Sequence, residues 1–318
     1  MSYIFYVLAK NLIYFFVKSP KATAAIQLIL PLPGIGVSFE TFPYIAVALS
    51  LLVITHELSH GIASLVDKVP LKSTGIIYGH VAMGGFVEPD EEELAKSKEI
   101  TKLRIFAAGS YTNVVLGIFF SILLVSFPAT IAPFYNVVQS GVSIGSISPK
   151  LPVNSTGLRA GDVLTSINGT SIQSIDALRA YMNNVHPGQL VVLGTTHGTF
   201  SVKTAPDSAN ATHALIGIGG LTDNIDYQPK FAHLSSDFPP VLFRAEFWLS
   251  VVMVSVAMIN MLPMPPFDGD KFLETALNAV GIKRTKELRR VANAVALSLF
   301  LLNFLMSWAQ TGSPFFRP

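Results

Sequence analysis

Three long stretches of this chain, Ile105 to Pro128, Phe247 to Phe267 and Val291 to Phe316, contain no charged residue. A bilayer's hydrocarbon core is crossed by a helix of about 20 apolar residues, so each stretch is long enough to span. A fourth, Thr41 to about Val66, is apolar except for a cluster at His56, Glu57 and His60. Only 13% of the 318 residues are charged and 50% are hydrophobic, where a soluble domain carries about a quarter charged. An ordinary cytosolic domain is therefore excluded, and so is a disordered chain, since there is ample apolar surface to bury. The net charge of +2, with no basic stripe, argues against a nucleic-acid partner. The chain has no cysteine, which removes disulfides, thiolate metal sites and cysteine nucleophiles. The first 40 residues should add one or two membrane segments. Tyr3 to Val17 is interrupted by Lys10, and Ala22 to Phe39 is broken by Pro31, Pro33 and Gly34. Because Lys10 splits the apolar run, no cleavable signal peptide is expected.

The remaining charges are sorted. Asp67 to Arg104 and Asp268 to Arg290 hold 12 of the 22 Lys and Arg, while the long stretch Val137 to Val241 holds only five. Positive-inside reasoning then puts the loops 67–104 and 268–290 in the cytoplasm and the long insert outside. Three Asn-x-Ser/Thr sequons, at Asn154, Asn168 and Asn210, all fall in the insert. Such sequons carry meaning only on an exported surface, although chance also produces them in a stretch rich in Asn, Ser and Thr. The expected organisation is an N-terminal membrane part at 1–40, a first core half at 41–130, an inserted domain at 137–225 and a second core half at 242–311.

The insert reads as a small α/β domain. Val142 to Ile147, Val191 to Thr195, Phe200 to Lys203 and Leu215 to Ile218 suit strands, and Ile175 to Asn183 has helical spacing. Asn168-Gly169 is a hairpin signal. The run Gly157-Leu158-Arg159-Ala160-Gly161-Asp162-Val163-Leu164, followed by Ile167-Asn168-Gly169, resembles the PDZ domains of membrane-associated and periplasmic proteases. That resemblance implies a site for an extended peptide ligand, bound by strand addition; a spacer that only gates access is the other reading.

His56-Glu57-Leu58-Ser59-His60 is an H-E-x-x-H pattern. On a helix, residues four apart share a face, so both imidazoles can reach one zinc ion, and Glu57 can serve as general base for water activated there. Two His and a Glu inside an apolar span are costly to insert unless they are paired or functional. A buried His-Glu pair that only stabilises packing would need fewer polar groups. Zinc wants a third protein ligand and an open fourth position. The candidate is Asp268, which follows Asn260-Met261-Leu262-Pro263-Met264-Pro265-Pro266-Phe267. Prolines that break an apolar helix are tolerated at membrane depth where the backbone lines a cavity or is buried in protein.

Taken together these segments resemble the site-2 protease family of intramembrane zinc metalloproteases, in its archaeal and eukaryotic-like branch. The H-E-x-x-H lies at His56 to His60, and the Asn-x-x-Pro-x-Pro-x-x-Asp-Gly pattern runs from Asn260 to Gly269. Ala108-Gly109-Ser110-Tyr111-Thr112-Asn113 resembles the family's Ala-Gly-Pro-x-x-Asn at the start of the next helix, with Ser110 in place of proline. The resemblance implies a multi-pass α-helical membrane protein with a re-entrant β-hairpin and an inserted α/β PDZ-like domain. It implies one zinc ion held by His56, His60 and Asp268, with Glu57 as general base. Asn113 and Asn260 would hold the substrate backbone or the oxyanion, a role that suits uncharged amides; hydrogen bonding between helices is their alternative use.

Leu71 to Glu88 is rich in β-branched and aromatic residues, punctuated by glycine, and suits that hairpin. Its edge could hold an unwound transmembrane substrate by strand pairing. His80, within it, is a candidate extra zinc ligand or a plain surface histidine. Asp90 to Glu93, with Lys96, Lys98 and Lys102, suits a solvated cytoplasmic helix. The expected function is regulated intramembrane proteolysis, in which a membrane-protein substrate with a transmembrane helix is cut within the bilayer. A metal transporter would string its ligands along a path, and a non-catalytic PDZ sensor would not need His56.

Overall fold

The three uncharged stretches fold as helices that begin upstream of the charge-free run, at Glu99, Phe238 and Thr285, and end before its last residues. The structure is a computed structural model that describes residues 2–23, 26, 37–78, 83–207 and 210–312. It divides into two compact units: Met1–Phe127 with Val241–Pro318, and Pro128–Pro240.

In the first unit, α1 (Ser2–Phe16) is followed by α2 (Phe42–Val66), which opens with Pro43 in its first turn, where a missing N–H costs nothing. Strands β1 (Leu71–Tyr78) and β2 (Met83–Pro89) form an antiparallel hairpin. The short helix α3 (Glu91–Lys96) is capped by Asp90, whose carboxylate accepts from the Glu93 N–H at 3.0 Å. The unit continues with α4 (Glu99–Val125), α5 (Phe127–Ile131) begins at its end, and after the second unit its last helices follow. Among the described residues, four helices are long and apolar enough to cross a membrane: α2, α4 and two later helices at Phe238–Asn260 and Thr285–Thr311. Their outward faces carry bare apolar side chains, among them Ile54, Leu58, Ile62 and Leu65 on α2 and Ile118, Phe119 and Ile122 on α4. Water would penalise that surface, whereas lipid does not.

Two of the expected boundaries move. The helix Phe238–Asn260 begins upstream of Phe247 although Arg244 and Glu246 interrupt the apolar run; Arg244 is exposed and pairs with Glu40 at 3.7 Å, and Glu246 is buried. The helix Thr285–Thr311 begins upstream of Val291 because its charged first turns find partners. Small polar groups link the helices. Ser59 Oγ bonds Thr112 Oγ1 at 2.7 Å between α2 and α4. Asn11 of α1 donates to Asn303 Oδ1 at 2.9 Å, and Asn303 donates to the Leu8 carbonyl. Lys10, which interrupts the apolar run in α1, lies between the Tyr6 and Tyr14 rings one turn away on either side.

The second unit begins with β3 (Tyr135–Ser143), β4 (Ser146–Ile147), β5 (Val163–Ile167) and β6 (Thr170–Ser171), then α6 (Ile175–Met182). It ends with β7 (Leu190–Thr195), β8 (Gly198–Lys203), β9 (Ala205–Pro206), β10 (Ala214–Leu215), β11 (Ile218–Gly219) and β12 (Thr222–Pro229). The main sheet has the order β12-β3-β5-β7-β8, with β6 paired to β5. Val142, Leu164, Ile167, Val191, Leu193 and Val202 fill its core beneath Leu178 of α6. The expected strand Leu215 to Ile218 is split at Gly217, whose φ of +97° breaks the ladder; a Cβ there would lie 2.9 Å from Leu151. Asn168-Gly169 turns the β5–β6 hairpin, both with positive φ. Asn168 Oδ1 accepts from the Val192 N–H at 2.7 Å and its amide donates to Tyr181, so turn chemistry explains that sequon.

Candidate active site

The remaining helices of the first unit, α7 (Phe238–Asn260), α8 (Asp268–Ala279) and α9 (Thr285–Thr311), bring Asp268 to the histidines of α2. His56 Nε2 lies 3.1 Å from His60 Nε2 and 3.1 Å from Asp268 Oδ2, and His60 Nε2 lies 3.2 Å from the same oxygen. These three atoms form a nearly equilateral triangle. Ligand atoms on a tetrahedral zinc with bonds of about 2.0–2.1 Å stand about 3.3 Å apart, so the triangle has the dimensions of one face of such a site. Nδ1 of His60 donates to the Ile105 carbonyl at 2.7 Å, since a carbonyl can only accept. In the neutral ring, Nε2 of His60 therefore turns a lone pair toward the triangle. The donor set, two imidazoles and a carboxylate with one side open, fits catalytic zinc rather than a closed structural site.

Helix α4 supports this cradle along one buried stripe. Ile105, Gly109, Asn113 and Gly117 follow at four-residue steps and all are buried. The Ile105 carbonyl takes the His60 proton, and Asn113 Nδ2 lies 3.0 Å from His56 Nδ1. A Cβ on Gly109 would come within 2.5 Å of the His56 ring, so only glycine lets α4 approach this closely. Gly117 does the same against Val254 of α7. The structure corrects one expectation here. The Ala108-to-Asn113 motif sits about three turns inside α4, not at a helix start. Asn113 is fully buried with its amide on the Nδ1 side of the His56 ring, across the imidazole from the Nε2 of the triangle. Asn260 does lie at the triangle, with Nδ2 3.0 Å from Asp268 Oδ2 and 3.1 Å from His56 Nε2.

Asp268 reaches the cradle because the chain doubles back after α7. A Cβ on Gly269 would lie 2.5 Å from the Met261 and Leu262 backbone, so this tight return requires glycine. Two residues along α8, at Asp270, is a network that no sequence pattern marked. Arg289 of α9 grips the Asp270 carboxylate with Nε at 2.7 Å and with Nη2, and Asn293 adds a third bond at 3.1 Å. The same guanidinium reaches Glu274. These bonds hold the Asp270 carboxyl below the usual carboxylate range. Asp270 is 6% exposed and Arg289 30%, so the pair is largely withdrawn from water. Arg289→Met is expected to destabilise by about 3 kcal/mol, the low end for breaking a buried pair. Unfolding in detergent checks this, with the double replacement Asp270→Leu and Arg289→Met regaining most of the loss; no loss in the single variant would mark the pair as surface-like.

Glu57 follows His56 on α2 and faces a groove of about 410 Å³ lined by Ile54, Leu58 and Ile62 of α2 and by Ile76, Phe86 and Val87 of the hairpin. Its Oε2 accepts from the Val87 N–H at 3.3 Å. Val87 opposes Thr74 in the ladder, so this N–H belongs to the outer edge of β2 and points away from β1. His80 lies outside the described residues. Among the described residues, His56, His60 and Asp268 are the group whose donor atoms converge tightly enough for a metal ion. In the sequence Gly109 stands out only as part of the Ala108-to-Asn113 motif, and neither its role nor that of Ile105 is marked there. The four-residue spacing of small residues at Gly109, Asn113 and Gly117 is the pattern that could have marked the stripe.

Residues 44–305 match the family described as Peptidase family M50. The chain is 28% identical over 142 residues to "Membrane-bound transcription factor site-2 protease homolog" of Arabidopsis thaliana, a match covering 44% of this chain and 27% of that protein. It is 27% identical over 241 residues to a Nostoc sp. protein named "Putative zinc metalloprotease all3971", covering 64% of each. The chain thus spans less than two thirds of either relative. The PDZ domain of an SdrC-like protein from Listeria monocytogenes is 26% identical, covering 27% of this chain and 93% of the domain, with a TM-score of 0.25.

Proposed function

The chain belongs to peptidase family M50, and from that premise we propose that it is a membrane-embedded zinc metalloendopeptidase that cuts the transmembrane segment of a membrane-protein substrate. The observation that carries the reading is the triangle of His56, His60 and Asp268 donor atoms beside Glu57. One zinc ion held there would polarise the scissile carbonyl and acidify a water molecule. Glu57 takes the proton of the attacking water on its carboxylate and delivers it to the leaving amide nitrogen. The Asn260 amide donates to the oxygen that gains negative charge. Ligands gathered at one point, rather than strung along a path, support hydrolysis over metal transport.

The substrate helix hides its peptide bonds in intrahelical hydrogen bonds and must unwind before attack. The hairpin, re-entrant in this reading, offers the outer edge of β2 to pair with the unwound strand, in the groove beside Glu57. The protein is multi-pass, with loops 67–104 and 268–290 in the cytoplasm and the insert outside, as the distribution of Lys and Arg suggests. The insert is PDZ-like and takes an extended peptide in a groove of about 760 Å³ lined by Ile147, Ile175, Leu178, Met182, Ile218 and Leu221.

The test is metal analysis and cleavage of a transmembrane peptide by the purified full chain. One zinc per chain is expected, with cleavage lost on chelation and regained when zinc is returned. Cleavage that survives chelation, or metal flux across liposomes without proteolysis, would overturn the reading.

A further inference from the structure

We propose that Asn113 is a positioning residue for His56, and that its amide oxygen accepts a hydrogen bond from Nδ1–H and so fixes the tautomer in which the Nε2 lone pair faces the metal cradle. The inference rests on the zinc reading above and concerns how the chain prepares one of its ligands.

An imidazole that ligates through Nε2 keeps its proton on Nδ1, and that proton needs an acceptor. His60 finds one in the Ile105 carbonyl at 2.7 Å. His56 has Asn113, fully buried, with its amide 3.0 Å from Nδ1. With Nδ2 toward the ring, Nδ1 would have to accept. The proton would then sit on Nε2, where it blocks ligation, and Asn113 Oδ1 is buried without a hydrogen-bond partner among the described residues. A half-turn of the amide leaves its shape nearly unchanged and exchanges its two ends. Oδ1 then accepts from Nδ1–H, Nδ2 takes the buried place that Oδ1 held, and the decisive gain is at Nε2, which turns a lone pair to the triangle. Both histidines are thereby oriented from the same stripe of α4, one by a backbone carbonyl and one by a side-chain amide.

Asn113→Leu and Asn113→Asp in the full chain, purified in detergent, separate this role from binding of substrate. The zinc dissociation constant is read by competition with a chromophoric chelator, and kcat and KM by cleavage of a transmembrane peptide. Leucine fills the site without an acceptor and should weaken zinc binding about 10- to 100-fold, with cleavage regained at excess zinc. Aspartate keeps the acceptor, so zinc affinity and kcat should both stay near wild type. If Asn113→Leu does not fold, Asn113→Asp decides alone. Normal zinc affinity with lost kcat, in either variant, would overturn the proposal, because a carboxylate beside a developing oxyanion would give that result. Loss of zinc from Asn113→Asp would overturn it too. A wild-type chain that binds no zinc removes the reading beneath the proposal and the proposal with it, and this outcome is seen before any variant is made.

Discussion

Glu57→Gln is expected to lower kcat by roughly 100- to 10,000-fold, the range for removal of a positioned general base, while zinc content and KM stay at wild-type values. Glutamine has the size of glutamate, and its carbonyl oxygen can still accept from the Val87 N–H that now meets Oε2 at 3.3 Å. The contact between α2 and the hairpin therefore survives. The cradle survives too, because its three donor atoms come from His56, His60 and Asp268. What disappears is the capacity to take a proton from water and return it to the leaving nitrogen. A loss confined to kcat is the signature of an interaction made only in the transition state. Purified Glu57→Gln that still cleaves at a tenth of the wild-type rate, or that has shed its zinc, would show that another group is the base or that Glu57 holds the metal.

The second large effect concerns a residue with no functional group. Gly109→Ala puts a methyl carbon 2.5 Å from Cε1 and Nε2 and 2.6 Å from Nδ1 of His56, closer than carbon and nitrogen can stand. Something must move. The ring is not a free side-chain end, because Asn113, Asp268 and His60 surround it at 3.0–3.1 Å. Either His56 turns out of the triangle or α4 backs away from α2 and takes the Ile105 carbonyl from His60 with it. Both paths cost zinc affinity as well as activity, and overpacking of this kind costs about 1–3 kcal/mol of stability. Zinc titration of the purified variant should show binding weakened at least about tenfold, the scale of a displaced supporting contact. Gly109→Ala with wild-type zinc affinity would mean that the helices yield without disturbing the ring. Serine at position 109 should behave no better than alanine, since the obstacle is the Cβ itself.

The parts of this molecule that could be read from the chain are those that depend on local pattern. Absence of charge over a helix length marked three of the four long helices, an apolar run broken by one polar cluster marked the fourth, and four-residue spacing put His56 and His60 on one face. Asp268 was found through the prolines that break the helix before it. Where charge entered a helix, local reading stopped too soon. Arg244 and Glu246 on α7 and Arg289 on α9 looked like ends of spans, but each charge lies within a helix that continues past it. The fit of Gly109 against His56 and the grip of Arg289 on Asp270 join residues brought together by the fold; four-residue spacing can mark the stripe that carries Gly109, but not the ring it packs against. Strand β12 escaped for a different reason. Its sequence, Thr222 to Pro229, is rich in Asp and Asn, which strands disfavour. It is held by its ladder with β3 rather than by its own preferences.

Phe127, where the chain leaves the first unit, meets Phe243, just after it returns, ring edge to ring face with centroids 5.2 Å apart. Everything from Pro128 to Pro240 is thus a detour that starts and finishes at one doorway. The donor atoms, the glycine that admits α4 and the arginine that anchors α8 all belong to the chain on either side of it. A short linker between Phe127 and Val241 would have little distance to bridge. The architecture therefore lets evolution adjust the two parts one at a time. The insert can be lengthened, exchanged or dispensed with as a cassette, while the chain on either side of it keeps its spacing.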